Sequence, residues 1–266
     1  MTAEEAAYTN FLEPVYADHM QWSDDGFVIS ARKHGESAAI VTLLTREHGR
    51  HAGLVRGGAG RRQRGTLQIG NLVRAEWRAR LAEHLGNYTC ELTGAYAAPL
   101  LDMKMPLLAL GAATGLLELS LPERAPHPEV FEEFVRLVEA LPEPGWEARY
   151  VRWEIGLLAD LGFGLDFSEC AATGANDGLT YVSPRTGRAV SAAAGEPYRD
   201  RLLTLPTFLI DHDFAADAPQ ILDGLALTGH FFTTHIFTPD GRKLPAARTR
   251  LVDGIAGTST ISSITN

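Results

Sequence analysis

The chain has few cysteines and lacks a long uninterrupted run of apolar residues. Cys90 and Cys170 are its two cysteines, too few for a disulfide framework and compatible with a reducing compartment. No apolar stretch reaches the roughly 18 residues that span a bilayer, and no basic segment precedes an apolar core at the N-terminus. We therefore expect neither a membrane protein nor a secreted one.

Motifs of nucleotide and acyl-transfer chemistry are also missing. The glycine-rich segment at 57–65, GGAGRRQRG, lacks the order of a phosphate-binding loop, and Gln63 occupies the place of the last glycine in a dinucleotide fingerprint. No nucleophile elbow is present. His48 and His51 flank a turn at Gly49 without a nearby carboxylate pair, so we interpret them as turn and surface residues rather than metal ligands. The sequence indicates a non-enzyme without a cofactor.

Positive and negative charges are distributed unevenly along the chain. The net charge of -9 over 266 residues argues against a nucleic-acid partner when taken as a whole. Residues 26–85, however, contain eleven Lys or Arg against four acids, whereas residues 1–25 contain six acids and no base. The remainder holds thirteen bases and twenty-three acids. A basic block inside an acidic chain predicts an anion-binding module, although a merely solvated arginine-rich face would show the same pattern.

Strand signals dominate the basic block. Five short stretches at 27–33, 38–45, 51–56, 71–80 and 88–97 are bounded by turn residues. In the fourth, small or apolar residues alternate with Arg74, Glu76 and Arg78, which places Trp77 on the buried face. Five strands without an intervening long helix predict an OB-fold barrel, and an SH3-like barrel would give a similar pattern. We expect residues 57–65 to form a flexible, exposed loop.

Helical patterns follow the barrel. Apolar stripes predict helices at 105–119, 127–141, 146–161, 219–237 and 245–252, with a possible hairpin near 183–188. The fold class is therefore α+β, a five-stranded barrel followed by a mainly helical domain. We expect a poorly ordered leader at 1–25, the barrel domain at 26–98, the helical domain at 99–252 and a flexible tail at 253–266.

Arginines carry the predicted binding site, because a basic barrel face can follow the phosphates of nucleic acid. The candidate DNA-binding residues are Arg32, Lys33, Arg50, Arg56, Arg61, Arg62, Arg64, Arg74 and Arg78. An alternative is an OB-fold interaction adaptor that binds an acidic protein tail without contacting DNA. A metal-dependent nuclease would need clustered acids, and the four acids of the block are scattered.

Several segments resemble a known family. The stretch GFVISARKHGESAAIVTLLTREHGRHAGLVRGG at 26–58, LQIGNLVRAEW at 67–77 and HIFTPDGRKLPAARTRL at 235–251 resemble bacterial RecO, a recombination mediator of gap repair. The resemblance implies an N-terminal OB-fold, a helical body and a small zinc-ribbon-like lobe, here at about 166–200. It also implies binding to single- and double-stranded DNA, annealing of complementary strands and help in loading RecA onto gaps covered by single-strand-binding protein.

The implied partners are DNA, RecR and the C-terminal tail of single-strand-binding protein, with RecA acting indirectly and no membrane involved. We expect a cytoplasmic, nucleoid-associated protein of the RecFOR pathway. One departure concerns the lobe, because Cys170 retains the first cysteine of the family's C-x-x-C-G pair while Thr173 replaces the second. The later ligand positions correspond to Ser191 and Ala194. A single thiolate cannot hold structural zinc, so Cys170 is a vestigial zinc position and the lobe should fold without metal.

Overall fold

The N-terminal part of the molecule is a closed barrel of five strands. The computed structural model describes residues 20–211 and 213–264. The strands are β1 (Met20–His34), β2 (Ala38–Thr45), β3 (Gly49–Val55), β4 (Leu72–Ala79) and β5 (Asn87–Gly94). They close in the order β1-β2-β3-β5-β4, and the β3–β5 pair is parallel while the others are antiparallel. The five predicted strands are confirmed.

Buried and exposed side chains alternate along β4, and the buried ones face the interior of the barrel. Val73, Ala75 and Trp77 are buried, whereas Arg74 and Arg78 point outward. Period-two alternation follows from the pleat of a strand, in which successive side chains leave on opposite faces. The predicted burial of Trp77 is therefore confirmed, and its indole N–H donates to the Leu85 carbonyl at 3.0 Å.

The first strand begins earlier than expected. Residues 20–25, which we expected in a poorly ordered leader, pair with β4 in a register that joins Asp25 to Arg74. With 15 residues, β1 is long enough to pair with β4 at its start and with β2 at its end, and its bulge between Val28 and Ser30 bends the strand between the two partners. The rest of the expected leader, residues 1–19, lies outside the described residues.

The connection from β3 to β4 also differs from the prediction. Residues Arg61–Arg64 form a single helical turn, α1, within the segment that we expected to be a flexible loop. The Ala59 amide donates to the Ser37 carbonyl at 2.9 Å, and the Asn71 side-chain amide donates to the Gly65 carbonyl at 2.7 Å. These hydrogen bonds hold the connection at both ends. Their partners, Ser37 and Asn71, lie outside the segment 57–65, so the sequence of the segment does not indicate that it is held in place.

Three long helices start the second part of the fold. They are α2 (Lys104–Ser120), α3 (Pro128–Ala140) and α4 (Trp146–Asp160), which match the predicted helices. The apolar stripe of α3 explains its docking, because Phe131 and Phe134 are fully buried. Phe27 of β1 contacts both rings, with centroids 5.5 and 5.0 Å away, so the barrel and the helices share one core.

A small sheet follows, as predicted for the lobe. Its strands are β6 (Leu179–Val182), β7 (Ala189–Ser191) and β8 (Leu203–Thr204), with a short helix α5 (Ala192–Gly195) after β7. The predicted hairpin is confirmed, because β6 and β7 pair across residues 183–188. The strands are ordered β7-β6-β8, so the sheet includes β8 at Leu203–Thr204, slightly beyond the predicted end of the lobe at about residue 200.

The C-terminal helices complete the body. Helix α6 (Ala218–Phe231) continues into a π-helical turn at Phe232–Phe237, and α7 spans Ala246–Ile264. We expected a flexible tail from 253, but α7 continues through this segment while packing against α2, where Gly254 lies beside Met105. Among the described residues, no helix is both long and apolar enough to cross a bilayer.

Candidate nucleic-acid interface

An open groove of about 780 Å³ lies beside the end of the β1–β2 hairpin. One side is formed by the end of β1, with Arg32 and Lys33, and the other by the β3–β4 connection, with Arg61 and Arg64. The remaining lining residues are small, aliphatic or neutral: Ala31, Ala39, Gly58, Ala59, Gly65, Leu67, Gln68 and Ile69. The structure therefore brings four of the nine predicted arginines and lysines to one groove.

The groove is strongly basic. Its four cationic side chains are exposed, and no acidic residue belongs to the described lining. Lys33, Arg61 and Arg64 form no ion pair with a described residue, whereas Arg32 pairs with Glu118 of α2. Arg61 and Arg64 are three positions apart on one helical turn, so they project to the same side. Such a cluster attracts an anionic polymer, and binding releases the counterions that had condensed on that polymer.

The other predicted residues lie outside this groove. Arg56 and Arg62 are exposed on the same β3–β4 connection but do not line it. Arg74 and Arg78 are on the outer face of β4, where Arg74 pairs with Asp25 at 3.2 Å and Arg78 with Glu76 at 3.7 Å. Whether they contact DNA stays a prediction.

Arg50 occupies a different environment. Its side chain is only 17% exposed, and its Nε donates to the Leu121 carbonyl at 2.8 Å. Its carbonyl accepts from the Arg124 amide at 2.8 Å, and its guanidinium lies 3.3 Å from a carboxylate oxygen of Glu123. These contacts join β3 to the segment between α2 and α3, so Arg50 connects the barrel to the helical body.

His48 lies in the partly exposed turn between β2 and β3, as interpreted from the sequence, whereas His51 lies in β3 and is buried. His51 is buried and its Nδ1 lies 2.8 Å from the Tyr88 hydroxyl, so our interpretation of this residue as a surface residue was wrong. Burial, reinforced by nearby Arg124, lowers the pKa of His51 to about 4. The ring of His48 stacks on Trp22 at 4.1 Å, and its Nδ1 lies 3.0 Å from the buried Asp24 carboxylate.

A second groove, of about 610 Å³, separates α3 from α4. Leu137, Ala140 and Trp153 contribute its apolar surface, and Arg136 and Arg149 line it together with Arg152, Glu133, Glu139 and Gly156. Sequence reasoning missed this groove at the level of residues. The signal in the sequence was the spacing of Arg149 and Arg152, which are three positions apart and therefore neighbours on the surface of a predicted amphipathic helix.

Cys170 lies in the lobe without a metal-binding set around it. The thiol is buried, and hydrogen bonds from the side chains of Ser191 and Thr173, reinforced by the Ser191 amide that donates to Sγ at 3.2 Å, lower the pKa of the thiol to about 6. Within residues 20–211 and 213–264, no group of three or more His, Cys, Asp or Glu is placed to hold a metal ion. The side chains present therefore do not fit a structural zinc ion.

Comparison with known proteins identifies the family. Residues 20–96 match the model described as Recombination protein O N terminal, and residues 106–244 match Recombination protein O C terminal. The chain is 55% identical to the DNA repair protein RecO of Rhodospirillum centenum over 248 residues, which cover 92% of this chain and 99% of that protein. The RecO protein of Phenylobacterium zucineum is 52% identical over 238 residues, covering 89% and 98%.

The RecO protein of Rhodospirillum rubrum is 51% identical over 241 residues, covering 88% of this chain and 96% of that protein. The two models together match the barrel and most of the helical body, and the relatives match over nearly their full length. The chain therefore belongs to the RecO family of DNA repair and recombination proteins.

Proposed function

We propose that this chain is a recombination mediator that binds single- and double-stranded DNA, anneals complementary strands and helps load RecA onto gaps covered by single-strand-binding protein. The observation that carries the proposal is the basic groove beside the β1–β2 hairpin, in a chain that belongs to a DNA repair family. The groove contributes cations without acids, as binding to a phosphate backbone requires.

The architecture of the barrel supports an OB-fold. Its strand order, β1-β2-β3-β5-β4, and its parallel β3–β5 pair give a five-stranded closed barrel with the β1–β2 turn beside the groove. In OB-folds, the β1–β2 loop is one of the elements that bind oligonucleotides. The groove therefore lies where this fold offers a nucleic-acid site.

DNA binding and annealing need no catalytic group, so the proposed role is not enzymatic. The nuclease alternative requires carboxylates beside the bound phosphate. The groove lining supplies arginine, lysine and neutral side chains instead. The proposal therefore includes neither a bound metal nor a nucleotide cofactor.

The groove between α3 and α4 supports the protein-partner part of the proposal. Exposed Arg149 lies beside the edges of the largely buried Leu137 and Trp153, while Arg136 pairs with Glu133 at 2.5 Å and Glu139 also lines the groove. The cation beside apolar edges suits an acidic peptide that also carries an apolar side chain. We assign this groove to the C-terminal tail of single-strand-binding protein. Replacing Arg149 with Ala should weaken binding of a peptide with that tail sequence and leave DNA binding unchanged. RecR is a further proposed partner, and RecA would act indirectly.

Annealing of complementary oligonucleotides coated with single-strand-binding protein tests the function. The wild type should anneal them, and a variant with Arg61, Arg62 and Arg64 changed to Ala should anneal at least tenfold more slowly. A matched control replaces Arg185, Arg199 and Arg201, which are exposed on the lobe side of the chain, and should retain wild-type rates. Both variants lose three positive charges, so the comparison isolates location from net charge.

Direct binding separates the mediator from an interaction adaptor. Affinity of the wild type for single-stranded DNA should fall steeply with salt, because each neutralised phosphate releases counterions. Absence of DNA binding at low salt, together with binding of an acidic peptide at the barrel, would favour the adaptor. Undiminished annealing by the triple variant would contradict the assignment of the groove.

A further inference from the structure

We propose that the basic groove binds the sugar-phosphate backbone of DNA and leaves the bases unstacked and unread. This inference rests on the proposed function and specifies what the groove recognises. It follows from the position of the aromatic side chains in the barrel and from the chemistry of the groove lining.

The aromatic rings of the barrel are not available to bases. Trp77 and Tyr88 are buried inside the barrel, and half-buried Trp22 packs on them with ring centroids 5.7 and 5.8 Å away. Phe27 is buried against α3, and Tyr96 packs on Phe27 at 5.7 Å. Among residues 20–98, which the structure describes in full, no Trp, Tyr or Phe is exposed.

This arrangement removes the usual platform for single strands. Barrels that bind single-stranded nucleic acid combine a basic groove with aromatic rings on which successive bases stack, and each stacked base raises affinity about fivefold or more. The groove here has the cations and lacks the rings. Its aliphatic residues, Leu67 and Ile69, and its small residues, Ala31 and Ala39, provide no flat surface for a base.

Groups that read base edges are also scarce in the lining. Gln68 is its one side-chain amide. The four cations suit phosphate oxygens, and the base edges that arginine and lysine also bind, O6 and N7 of guanine, are presented in the major groove of a duplex. Binding through phosphates leaves the Watson–Crick edges free. Annealing also needs the faces of the bases, because paired bases stack on one another in the duplex. Recognition of the backbone alone leaves both the edges and the faces free, whereas stacking on side chains would occupy the faces.

Guanidinium groups could still stack on bases, so Arg61 and Arg64 need a separate argument. An ammonium group keeps the charge of a guanidinium but has no plane to stack. If both arginines act through charge, replacing both with Lys should change affinity for DNA by less than about threefold. Arg61→Lys with Arg64→Lys is therefore the variant that separates charge from stacking.

Fluorescence anisotropy with three probes tests the inference. The probes are a 30-nucleotide oligothymidine, an oligomer of the same length with abasic sites, and an oligothymidine in which neutral methylphosphonates replace the phosphates. We expect the first two to bind with dissociation constants within about threefold of each other and with equal salt dependence. The third should bind at least tenfold more weakly, because it offers no charge.

Two results would overturn the inference alone. One is a loss of more than about threefold on the abasic oligomer, and the other is a loss of more than about threefold for the double Lys variant on oligothymidine but not on the abasic strand. Both would show that bases stack in the groove. Failure of the wild type to bind any charged strand, or full binding by the Arg61, Arg62 and Arg64 alanine variant, would instead contradict the proposed function.

Discussion

Arg32 of β1 and Glu118 of α2 form an ion pair with Nη2 and Oε1 2.5 Å apart, which joins the basic groove to the helical body. The Arg32 side chain is 72% exposed and Glu118 is 21% exposed. The carboxylate therefore neutralises one of the four cations of the groove, and in the proposed complex with DNA it would compete with a phosphate for the same guanidinium.

Replacing Glu118 with Gln should strengthen DNA binding. The change frees the Arg32 guanidinium for phosphate, so affinity for single-stranded DNA should rise about two- to fivefold at low salt, with a slightly steeper salt dependence. Fluorescence anisotropy across a salt series measures both quantities. Glu133→Gln is the control, because Glu133 pairs with Arg136 on α3 and should leave affinity unchanged. Equal or weaker binding by Glu118→Gln would show that Arg32 does not contact DNA.

Arg50 should affect stability more than DNA binding. Its Nε bond to the Leu121 carbonyl holds β3 against the helical body, and the side chain lies outside the basic groove. Arg50→Ala should lower the free energy of unfolding by about 1–3 kcal/mol, as expected for a lost charged hydrogen bond. Urea unfolding and anisotropy should be compared with Arg64→Ala, for which we expect the opposite pattern. A loss of affinity in Arg50→Ala equal to that of Arg64→Ala would argue for a direct contact.

The buried pair of Glu154 and Arg248 should be critical for stability. Glu154 is 0% and Arg248 4% exposed, and two guanidinium nitrogens donate to the carboxylate at 2.8 Å each. Arg248→Met leaves a buried carboxylate without its cation, which should cost about 3–5 kcal/mol. Urea unfolding measures this value.

A double variant sharpens this prediction. Glu154→Leu combined with Arg248→Met removes both charges, so it should recover a large part of the lost stability. The solvent-exposed pair of Arg136 and Glu133 provides the contrast, since breaking it should cost less than about 1 kcal/mol. If the double variant were no more stable than Arg248→Met, the effect would come from lost packing rather than from an unpaired charge.

Acid should destabilise the barrel through His51. The folded protein holds the pKa of this ring at about 4, below the value of 6.5 that applies when the chain is unfolded. The unfolded chain therefore binds more protons between these values, and the contribution to stability falls as pH decreases from about 6.5 to 4. Urea midpoints measured across this range should show less pH dependence in His51→Gln. Equal slopes in both proteins would mean that His51 titrates alike in both states.

The lobe should not need zinc. Ser191 and Ala194 stand at the positions where the resemblance implies further zinc ligands, and the Cys170 thiol accepts a hydrogen bond from the Ser191 amide. Elemental analysis of purified protein should find no stoichiometric zinc, and a chelator should not lower the melting temperature. Stoichiometric zinc that is lost on Cys170→Ser would contradict this prediction.

Local patterns were sufficient for much of the fold. The alternation around Trp77 predicted the inner face of β4, and the stripe containing Phe131 and Phe134 predicted the buried side of α3. They failed where distant contacts decide local structure. The polar segment after residue 252 has weak helix formers, yet it continues α7 because that helix packs on α2 beside Met105.

The sequence predicted the region of the candidate site but not which of its side chains lie together. Segregated charge predicted that residues 26–85 bind anions, but it could not separate Arg50 from Arg64. Arg50 is held by Leu121, more than seventy residues away, while Arg64 faces the groove. Glu118 gave no signal either, because 86 positions separate it from Arg32.

The sequence by itself determined the class of fold, the basic module and the family, because these depend on local periodicity, composition and motifs that are written along the chain. Only the tertiary structure decided which cations share a groove, which are held by carboxylates and where the aromatic rings point. The physical reason is that barrel closure and helix docking bring together side chains that are far apart along the chain. The residues next to each side chain in the sequence do not indicate such distant partners.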